Sequence, residues 1–343
     1  MTNLSEEYIK RPKTLIILGA GASFGCTKAK RPPLTKDIAR DLRKLSESSK
    51  CITIIEQLEK ASRENPRFDF EATLRSIFDK FKNDPVTRGQ FIALRHSLRS
   101  LFFHSGAGTQ DTCYSALYGT LLGAEERIRT QRGFTVVNLN YDLLAQRGFN
   151  QRIPLNNFQN YFGYDSRPFS MFHPHGCVTW FELEKSNIAD ERFNSAHTRQ
   201  NGEYHLYFSS KGHTRHAGAA FPFNNPPATN HVVPSLALPM YGDNRSKTVW
   251  PDTHKKRCAR ELGSVDRIIV IGWRGADTHI MNFIEENIDR QKLEKIHLVD
   301  SGKPIDIKSN LPKPWTAFTP TLECSSGFEG YVKGTNPLIN DII

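Results

Sequence analysis

Long hydrophobic runs, paired cysteines and blocks of like charge are all missing from this sequence of 343 residues. No apolar run approaches the roughly 20 residues that cross a bilayer, and the stretch before the first strand has no apolar segment of the signal-peptide kind. We therefore expect a cytoplasmic protein without a membrane segment. Hydrophobic residues make up 38% of the chain and the mean hydropathy is −0.50, which indicates a globular protein with a sizeable core.

The cysteines are scattered, and none of them belongs to a Cys-x-x-Cys pair. A zinc ribbon needs such pairs, and the histidines show no ligand spacing either, so we predict no bound metal. Isolated cysteines in a chain of this length are typical of reduced, mostly structural thiols. The six lie at positions 26, 51, 113, 177, 258 and 324.

Basic residues outnumber acidic ones by 46 to 36, which gives a net charge of +10 and a pI near 9.3. This excess suits an anionic ligand or a nucleic acid. It is equally consistent with a solvated surface, because only local clusters such as His254–Arg260 concentrate it. The charge balance therefore leaves both interpretations open.

Short apolar runs alternate with segments of helical spacing along most of the chain. This alternation predicts an α/β fold with a mostly parallel sheet and helices on both of its faces. The predicted strands are at 14–18, 134–139, around 170, 235–240, 267–273 and 295–301.

Two insertions interrupt the predicted alternation. Helical spacing over about 50–131 indicates a helical insertion after the first strand-helix unit. The segment at about 185–231 is rich in Gly, Asn, His and Pro, which predicts an irregular loop insertion with a hairpin around Tyr204–Ser210. We predict one domain over 1–310 and a C-terminal extension over 311–343.

The first strand ends in Gly-Ala-Gly-Ala-Ser, residues 19–23. Glycine at such a position lets backbone N–H groups approach a pyrophosphate closely, although a tight turn without a ligand has the same appearance. The dinucleotide fingerprint needs a third glycine at position 24, where this chain has Phe24. A dehydrogenase is therefore disfavoured.

Polar residues follow the next two strands. Asn140 ends a strand where open α/β sheets bind ligands, and its amide has both a donor and an acceptor for a ribose hydroxyl or a water. Asp142 either caps the following helix, which we favour, or contacts the ligand. His175, in the turn His-Pro-His-Gly, is a candidate general base. His173 competes for that role, and no carboxylate or cysteine pattern nearby completes a metal site with the two histidines.

Two later strand ends carry further candidates. Gly272 opens a turn to Arg274 that is suited to ligand binding, and Asp277 is placed to cap the helix that follows. Asp300 ends the last predicted strand, where a carboxylate either takes a pair of ribose hydroxyls or only forms a turn. Each of these patterns is weak when taken alone.

In this order, however, the motifs resemble those of the sirtuin-like family, over residues from about 14 to 301. The segments Phe70–Leu74 and Pro32–Ile38 resemble its bacterial defence branch. The resemblance implies a Rossmann-like, NAD-binding catalytic domain. It also implies two catalytic residues, Asn140 and His175. The predicted binding residues are those of the phosphate loop, Gly19, Ala20, Gly21 and Ser23, together with Asp300 near the adenosine, Asp142 and Gly272.

The chain departs from the deacylase sirtuins, which carry a four-cysteine zinc module and an Asp-Phe-Arg after the glycines. This chain has neither, and its loop there includes Arg31–Thr35. The resemblance thus implies a metal-free NAD+ hydrolase that releases nicotinamide and ADP-ribose and depletes NAD+ in antiphage defence by abortive infection.

The same resemblance implies a homo-oligomer or a separate partner, such as a P-loop ATPase or an Argonaute-like protein, through which nucleic acid could be bound. Two alternatives stay open at this point. One is a non-catalytic subunit that senses NAD+ or ADP-ribose, and the other is a nucleic-acid-binding subunit, which the net charge favours.

Overall fold

The structure, a computed structural model, contains two β-sheets in the part of the chain that it describes. The larger sheet has six parallel strands in the order β3-β2-β1-β7-β8-β9, and the smaller has three antiparallel strands in the order β5-β4-β6. The described residues are 12–26, 31–34, 37–65, 68, 70–81, 84–105, 112–128, 133–150, 169–185, 206–208, 230–236, 252–275, 277–302, 304–313, 315 and 319–334.

The strands of both sheets are short. They are β1 (Lys13–Leu18), β2 (Gly133–Asn138), β3 (Phe169–Phe172), β4 (Gly176–Lys185), β5 (Leu206–Phe208), β6 (Asn230–Leu236), β7 (Val265–Ile271), β8 (Lys295–Val299) and β9 (Thr321–Cys324).

Helices fill most of the sequence between the strands. They are α1 (Ala20–Gly25), α2 (Ile38–Arg43), α3 (Ile52–Glu64), α4 (Phe70–Phe81), α5 (Pro85–His104), α6 (Cys113–Ile128), α7 (Leu144–Asn150), α8 (Asp252–Leu262), α9 (Thr278–Asn287), α10 (Pro304–Asn310) and α11 (Gly327–Lys333), with 3₁₀ turns at Ser46–Cys51 and Arg290–Lys292.

The strand order places a topological switch between β1 and β7. The chain runs outward from β1 through β2 to β3, returns, and then runs outward again from β7 through β8 to β9. The register pairs Leu18 with both Asn138 and Ile271, and Ile271 with Val299, so the carboxyl ends of the central strands lie at one level. Open α/β sheets bind their ligands at this edge, beside the switch point.

Helices cover both faces of the parallel sheet, as predicted. On one face, Thr135 of β2 donates a hydrogen bond to Glu261 of α8. Ile296 of β8 is in register with Thr135 through β1 and β7, so the two side chains point to the same face of the sheet. The side chain of the next residue, His297, points to the opposite face, where it forms a hydrogen bond with Tyr331 of α11. The predicted α/β fold is therefore confirmed.

The predicted helical insertion is present as α3 to α6, which follow the first strand and helices α1 and α2. Its longest helix, α5, packs against β4 and β6 of the small sheet. Arg99 on this helix donates from Nε to the carbonyl of Val178 at 2.9 Å. Within the described residues, no helix is both long and apolar enough to cross a membrane.

The loop insertion lies mostly outside the described residues. Leu206–Phe208 forms a strand that pairs with β4, and the rest of the predicted hairpin lies outside the described residues. The predicted strand at 235–240 begins earlier than expected, at Asn230, and its residues beyond Leu236 lie outside the described part.

The predicted boundary at residue 310 divides the sheet. β9 pairs in parallel with β8 and completes the sheet at its edge, and Phe328 of α11 packs edge-on against Tyr114 of α6. Residues 319–334 thus belong to the domain and not to an extension. The proline-rich approach to β9 and its length of only four residues give the sequence little periodicity to detect.

A buried polar network joins α8 to the sheet beneath it. Glu261, which is fully buried, accepts from Arg257 Nε at 2.6 Å, from Ser170 Oγ at 2.7 Å and from Thr135 Oγ1 at 2.9 Å. We call these four residues the Glu261 network. Both carboxylate oxygens have partners inside the protein, so the network holds β2 and β3 to α8.

Candidate functional site

The candidate site lies at the carboxyl edge of the parallel sheet, where four turns meet. They follow β1, β2, β3 and β7, and they carry most of the predicted site residues. The turns begin at Gly19, Leu139, His173 and Gly272.

Three glycines let the β1 and β7 turns come into direct contact. A Cβ atom on Gly19 would lie 2.5 Å from the carbonyl oxygen of Gly272, and one on Gly21 would lie 2.9 Å from its Cα. Gly272 has a φ of +60°, and a Cβ there would overlap the nitrogen of Ala22. These positions therefore require glycine because two backbones pack together, whether or not a ligand is bound.

The backbone N–H groups of this turn are largely engaged inside the protein. Gly19 donates to the carbonyl of Ile271 at 2.9 Å, Gly21 to that of Gly272 at 3.0 Å, and Ala22 to that of Gly19 at 2.9 Å. The N–H groups of Gly19 and Gly21 therefore already have acceptors inside the protein, and binding of a pyrophosphate at this turn stays a prediction. Ala20 and Gly21 are the exposed residues of the turn.

Asn140 is held firmly by its amide nitrogen. Nδ2 donates to the carbonyl of Gly19 at 2.9 Å and to Ser23 Oγ at 3.0 Å, with Tyr114 Oη also within 3.4 Å. Because the Gly19 carbonyl can only accept, the amide orientation is fixed. Oδ1 makes no hydrogen bond to the described residues, so Asn140 presents one acceptor, rather than a donor and an acceptor, to a ligand.

Ser23 and Tyr114 support Asn140 from behind. Both are buried, and their hydroxyl oxygens lie 2.9 Å apart. Ser23 was predicted to contact phosphate, but its hydroxyl is directed into this cluster. Tyr114 comes from the helical insertion, and no motif in the sequence signals its part in the site.

Asp142 caps helix α7, which is the role that the sequence favoured for it. Its Oδ1 accepts from the backbone N–H of Leu144 at 2.9 Å, and the residue is 2% exposed. Burial raises the pKa of Asp142, while hydrogen bonds from Leu144 and Ser23 act in the opposite direction. Contact between this carboxylate and a ligand stays a prediction, and the structure gives it a structural task.

The two histidines of the β3 turn differ sharply in their surroundings. His173 is fully buried, its ring packs edge-on against Trp180, and burial together with His254 lowers its pKa to about 3. His175 keeps 11% of its side chain exposed at the edge of the sheet. Of the two candidates for the general base, His175 is thus the one that a ligand can reach.

His175 faces a carboxylate that the sequence assigned to helix capping. Asp277 occupies the N-cap position of α9, yet its side chain makes no capping hydrogen bond. Its Oδ2 accepts from Trp273 Nε1 at 2.7 Å, and its Oδ1 lies 3.5 Å from His175 Nε2. The carboxylate therefore links the β7 turn to the catalytic candidate of the β3 turn.

The Asn140 and His175 segments are joined directly. Val178, two residues into β4, donates its N–H to the carbonyl of Tyr141 at 3.1 Å, and the ring of Tyr141 lies 6.4 Å from that of His175. The ring of His279, on α9, lies 5.7 Å from His175 on another side. Residues from β2, β3 and β7 thus converge on one locality.

Asp300 lies further along the edge, after β8. Its Oδ1 accepts from the N–H of Gly302 at 2.7 Å, so the carboxylate builds a turn. The turn is accessible to solvent, and binding of a ribose by Asp300 stays a prediction. Within the described residues, no group of three or more His, Cys, Asp or Glu side chains is placed to hold a metal ion.

No family model matches the chain, and no curated protein matches it.

Sequence reasoning missed the partners of the catalytic candidates. Asp277 directly precedes a helix, and that position is explained fully by capping, so the sequence carries no sign that the side chain turns to His175. Trp273 lies inside the Gly272–Arg274 turn, whose pattern says nothing about its indole. An indole N–H that is almost fully buried needs an acceptor nearby, and this was the one available signal.

Proposed function

We propose that this chain is a metal-free NAD+ hydrolase of the sirtuin-like kind, which cleaves the bond between nicotinamide and ribose. The observation that carries the proposal is the pair formed by Asn140 and His175 at the carboxyl edge. Asn140 is held through Nδ2, and His175 Nε2 faces Asp277 Oδ1 at 3.5 Å. The other polar atom of each side chain, Oδ1 of Asn140 and Nδ1 of His175, makes no hydrogen bond to the described residues.

The two open atoms suit the hydrolytic step. When the glycosidic bond to C1′ breaks, its electron pair goes to the pyridinium nitrogen, and neutral nicotinamide leaves. Positive charge develops on the ribose, and the oxygen of a water forms the new bond to C1′. Asn140 Oδ1 orients that water or a ribose hydroxyl by accepting its hydrogen, and His175 takes the proton, directly or through the hydroxyl. The products are nicotinamide, ADP-ribose and a proton.

The position of the pair supports a nucleotide as the ligand. Asn140 and His175 follow β2 and β3, next to the switch point between β1 and β7 where doubly wound sheets bind nucleotides. Fixing the substrate at such a rigid edge supplies orientation, which is a large part of the rate acceleration in reactions of this type. The net charge of +10 suits the pyrophosphate of NAD+.

The resemblance to the bacterial defence branch also supports a proposal for the role of this activity in the cell. NAD+ depletion is toxic, so the activity is held off until infection, acts in the cytoplasm, and ends in abortive infection. Control by self-assembly, or by a P-loop ATPase or Argonaute-like partner that binds nucleic acid, completes this proposal.

The test is to incubate the purified chain with NAD+ and to quantify nicotinamide and ADP-ribose by chromatography. The expected result is equal amounts of the two products from the wild type and about 100- to 10,000-fold slower release from His175→Ala. If the wild type is silent alone, the assay is repeated in lysate of phage-infected producing cells, which supplies a trigger and a partner.

Two outcomes contradict the proposal. Binding of NAD+ or ADP-ribose without any turnover, in either assay, identifies a sensing subunit. Absence of nucleotide binding together with binding to nucleic acid that weakens steeply with salt identifies a nucleic-acid subunit, the interpretation that the net charge also allows.

A further inference from the structure

One oxygen of the Asp277 carboxylate accepts a hydrogen bond from the indole of Trp273, a group that can donate but never accept. Trp273 Nε1 carries a hydrogen and can only donate, and it lies 2.7 Å from Asp277 Oδ2. The indole is 5% exposed, and it follows Gly272, whose backbone is fixed against the β1 turn. Asp277 Oδ1 is therefore directed at His175 by a rigid support.

A carboxylate oxygen only accepts hydrogen bonds, so the nitrogen that faces it is stabilised in its protonated form. That nitrogen is Nε2 of His175, at 3.5 Å from Oδ1, a separation of the kind that tightens when substrate binds. A neutral imidazole carries one hydrogen. With the hydrogen on Nε2, the other nitrogen, Nδ1, keeps its lone pair.

We infer that Asp277 is a positioning residue: with Trp273 behind it, it fixes the Nε2–H tautomer of His175, so that Nδ1 is the atom that accepts the proton. The inference rests on the hydrolase function proposed above, and it adds the atom that acts and the residue that selects it. As the proton arrives at Nδ1, the imidazole becomes positive, and the Asp277 carboxylate beside Nε2 stabilises that charge.

Because of Trp273, replacing one oxygen of the Asp277 carboxylate by an NH₂ group is enough to change the tautomer of His175. In Asp277→Asn, the oxygen of the new amide must accept from Trp273, which turns the NH₂ group toward His175. That group can only donate, so Nε2 must accept and the hydrogen of His175 moves to Nδ1. The shape of the site is retained, while the base is lost because the tautomer is wrong.

The tautomer is read directly by two-bond ¹⁵N–¹H correlation spectra of protein labelled with [¹⁵N]histidine, without any NAD+. The His175 signal is identified by its loss in His175→Ala. We expect the Nε2–H form in the wild type and the Nδ1–H form in Asp277→Asn. In the double variant Trp273→Phe/Asp277→Asn the amide can rotate, so the Nε2–H form is expected to return. Asp289→Asn, a carboxylate-to-amide change at the opposite edge of the sheet, is the control and should leave the signal unchanged.

Kinetics supply the second readout. Asp277→Asn is expected to lower kcat for nicotinamide release by about 100- to 10,000-fold, the usual contribution of a general base, with little change in KM. The double variant is expected to be faster than Asp277→Asn alone, which a merely structural role of the two residues would not produce.

The outcomes separate this inference from the proposed function. An Nδ1–H tautomer in the wild type, or an unchanged tautomer in Asp277→Asn, overturns the positioning role even when NAD+ is hydrolysed. A silent wild type with the expected tautomers overturns the function and leaves the assignment of Asp277 standing. Full activity in Asp277→Asn with a reversed tautomer also overturns the inference, because Nδ1 would then not be the base.

Discussion

The Glu261 network and the carboxyl edge are both buried polar clusters, but they differ in whether their polar atoms all have hydrogen-bond partners within the described protein. In the first, both oxygens of Glu261 accept from protein donors. In the second, Asn140 is held through Nδ2 and His175 Nε2 faces Asp277 at 3.5 Å, while Oδ1 of Asn140 and Nδ1 of His175 make no hydrogen bond to the described residues. A closed network contributes to stability, whereas open polar atoms are what the proposed site needs to act on a ligand.

The largest effect is expected at the open cluster, from His175→Ala. Removing the base should lower nicotinamide release by about 100- to 10,000-fold. NAD+ affinity should stay near that of the wild type, because the loss concerns the transition state more than the bound ground state. Calorimetry with NAD+ and the turnover assay together check this, and near-wild-type turnover in folded His175→Ala would show that the side chain only supports its turn.

Asn140→Ala is expected to behave in a similar way, since the role proposed for its Oδ1 belongs to the same step. The double variant with His175→Ala should be little slower than either single variant, because residues that act as a unit are strongly non-additive. Rates that multiply instead would mean that the two residues act in separate steps. Urea unfolding is the control here, because Asn140 also holds the Gly19 carbonyl.

A substitution in the closed Glu261 network should lower the free energy of unfolding and leave the turnover of the folded protein unchanged. Glu261→Gln removes the charge that balances Arg257, a pair in which both side chains are almost fully buried. Breaking one partner of such a pair costs about 3–5 kcal/mol of unfolding free energy. The matched control is Glu323→Gln, which removes the ion pair with Lys308, in which the two side chains are 35% and 34% exposed. This change should cost less than about 1 kcal/mol. Equal losses in urea unfolding would refute the distinction.

The glycine contact beneath the edge provides a smaller effect. In Gly21→Ala the new Cβ lies 2.9 Å from Gly272 Cα, and overpacking of this kind costs about 1–3 kcal/mol. Gly89→Ala, with no atom within 4 Å of the added Cβ, is the control and should be neutral or stabilising by up to about 1 kcal/mol. A Gly21→Ala protein of full stability that no longer binds NAD+ would restore the phosphate-loop interpretation.

The smallest effect concerns pH and Asp142. Burial holds its pKa in the folded protein above the ordinary value of 3.8, so the fold favours the protonated form. Its contribution to stability is therefore present below pH 3.8 and is lost as the pH rises through the folded pKa. Asp142→Asn does not titrate, so the unfolding free energy of the wild type relative to the variant should fall as the pH rises from about 3.8. A difference that rises with pH would contradict this.

The sequence predicted well wherever a pattern is local. The buried strands, the helical insertion, the glycine turn and the strand ends at Asn140 and His175 all follow from periodicity and position. The sequence could not show which atoms are already used: the N–H groups of Gly19 and Gly21, and Nδ2 of Asn140, are engaged by residues far away in the chain.

Long-range pairing also explains the other misses. In the sequence, the position of Asp277 before a helix is explained by capping alone. His175 lies 102 positions earlier (277 minus 175), and only the fold brings the two side chains together. β9 is four residues long and gains its stability from β8, so its own residues carry little signal. Tyr114 enters the site from an insertion whose helical pattern reports packing alone.

The most direct test of the central claim is the rate of nicotinamide release from NAD+ per folded molecule, measured side by side for wild type, Glu261→Gln and His175→Ala, under the conditions in which the wild type is active. If the open edge does the chemistry and the closed network only supports it, Glu261→Gln should match the wild type, and His175→Ala should fall at least about 100-fold below both. Equal rates for wild type and His175→Ala, or an equal loss in the two variants, would contradict the account.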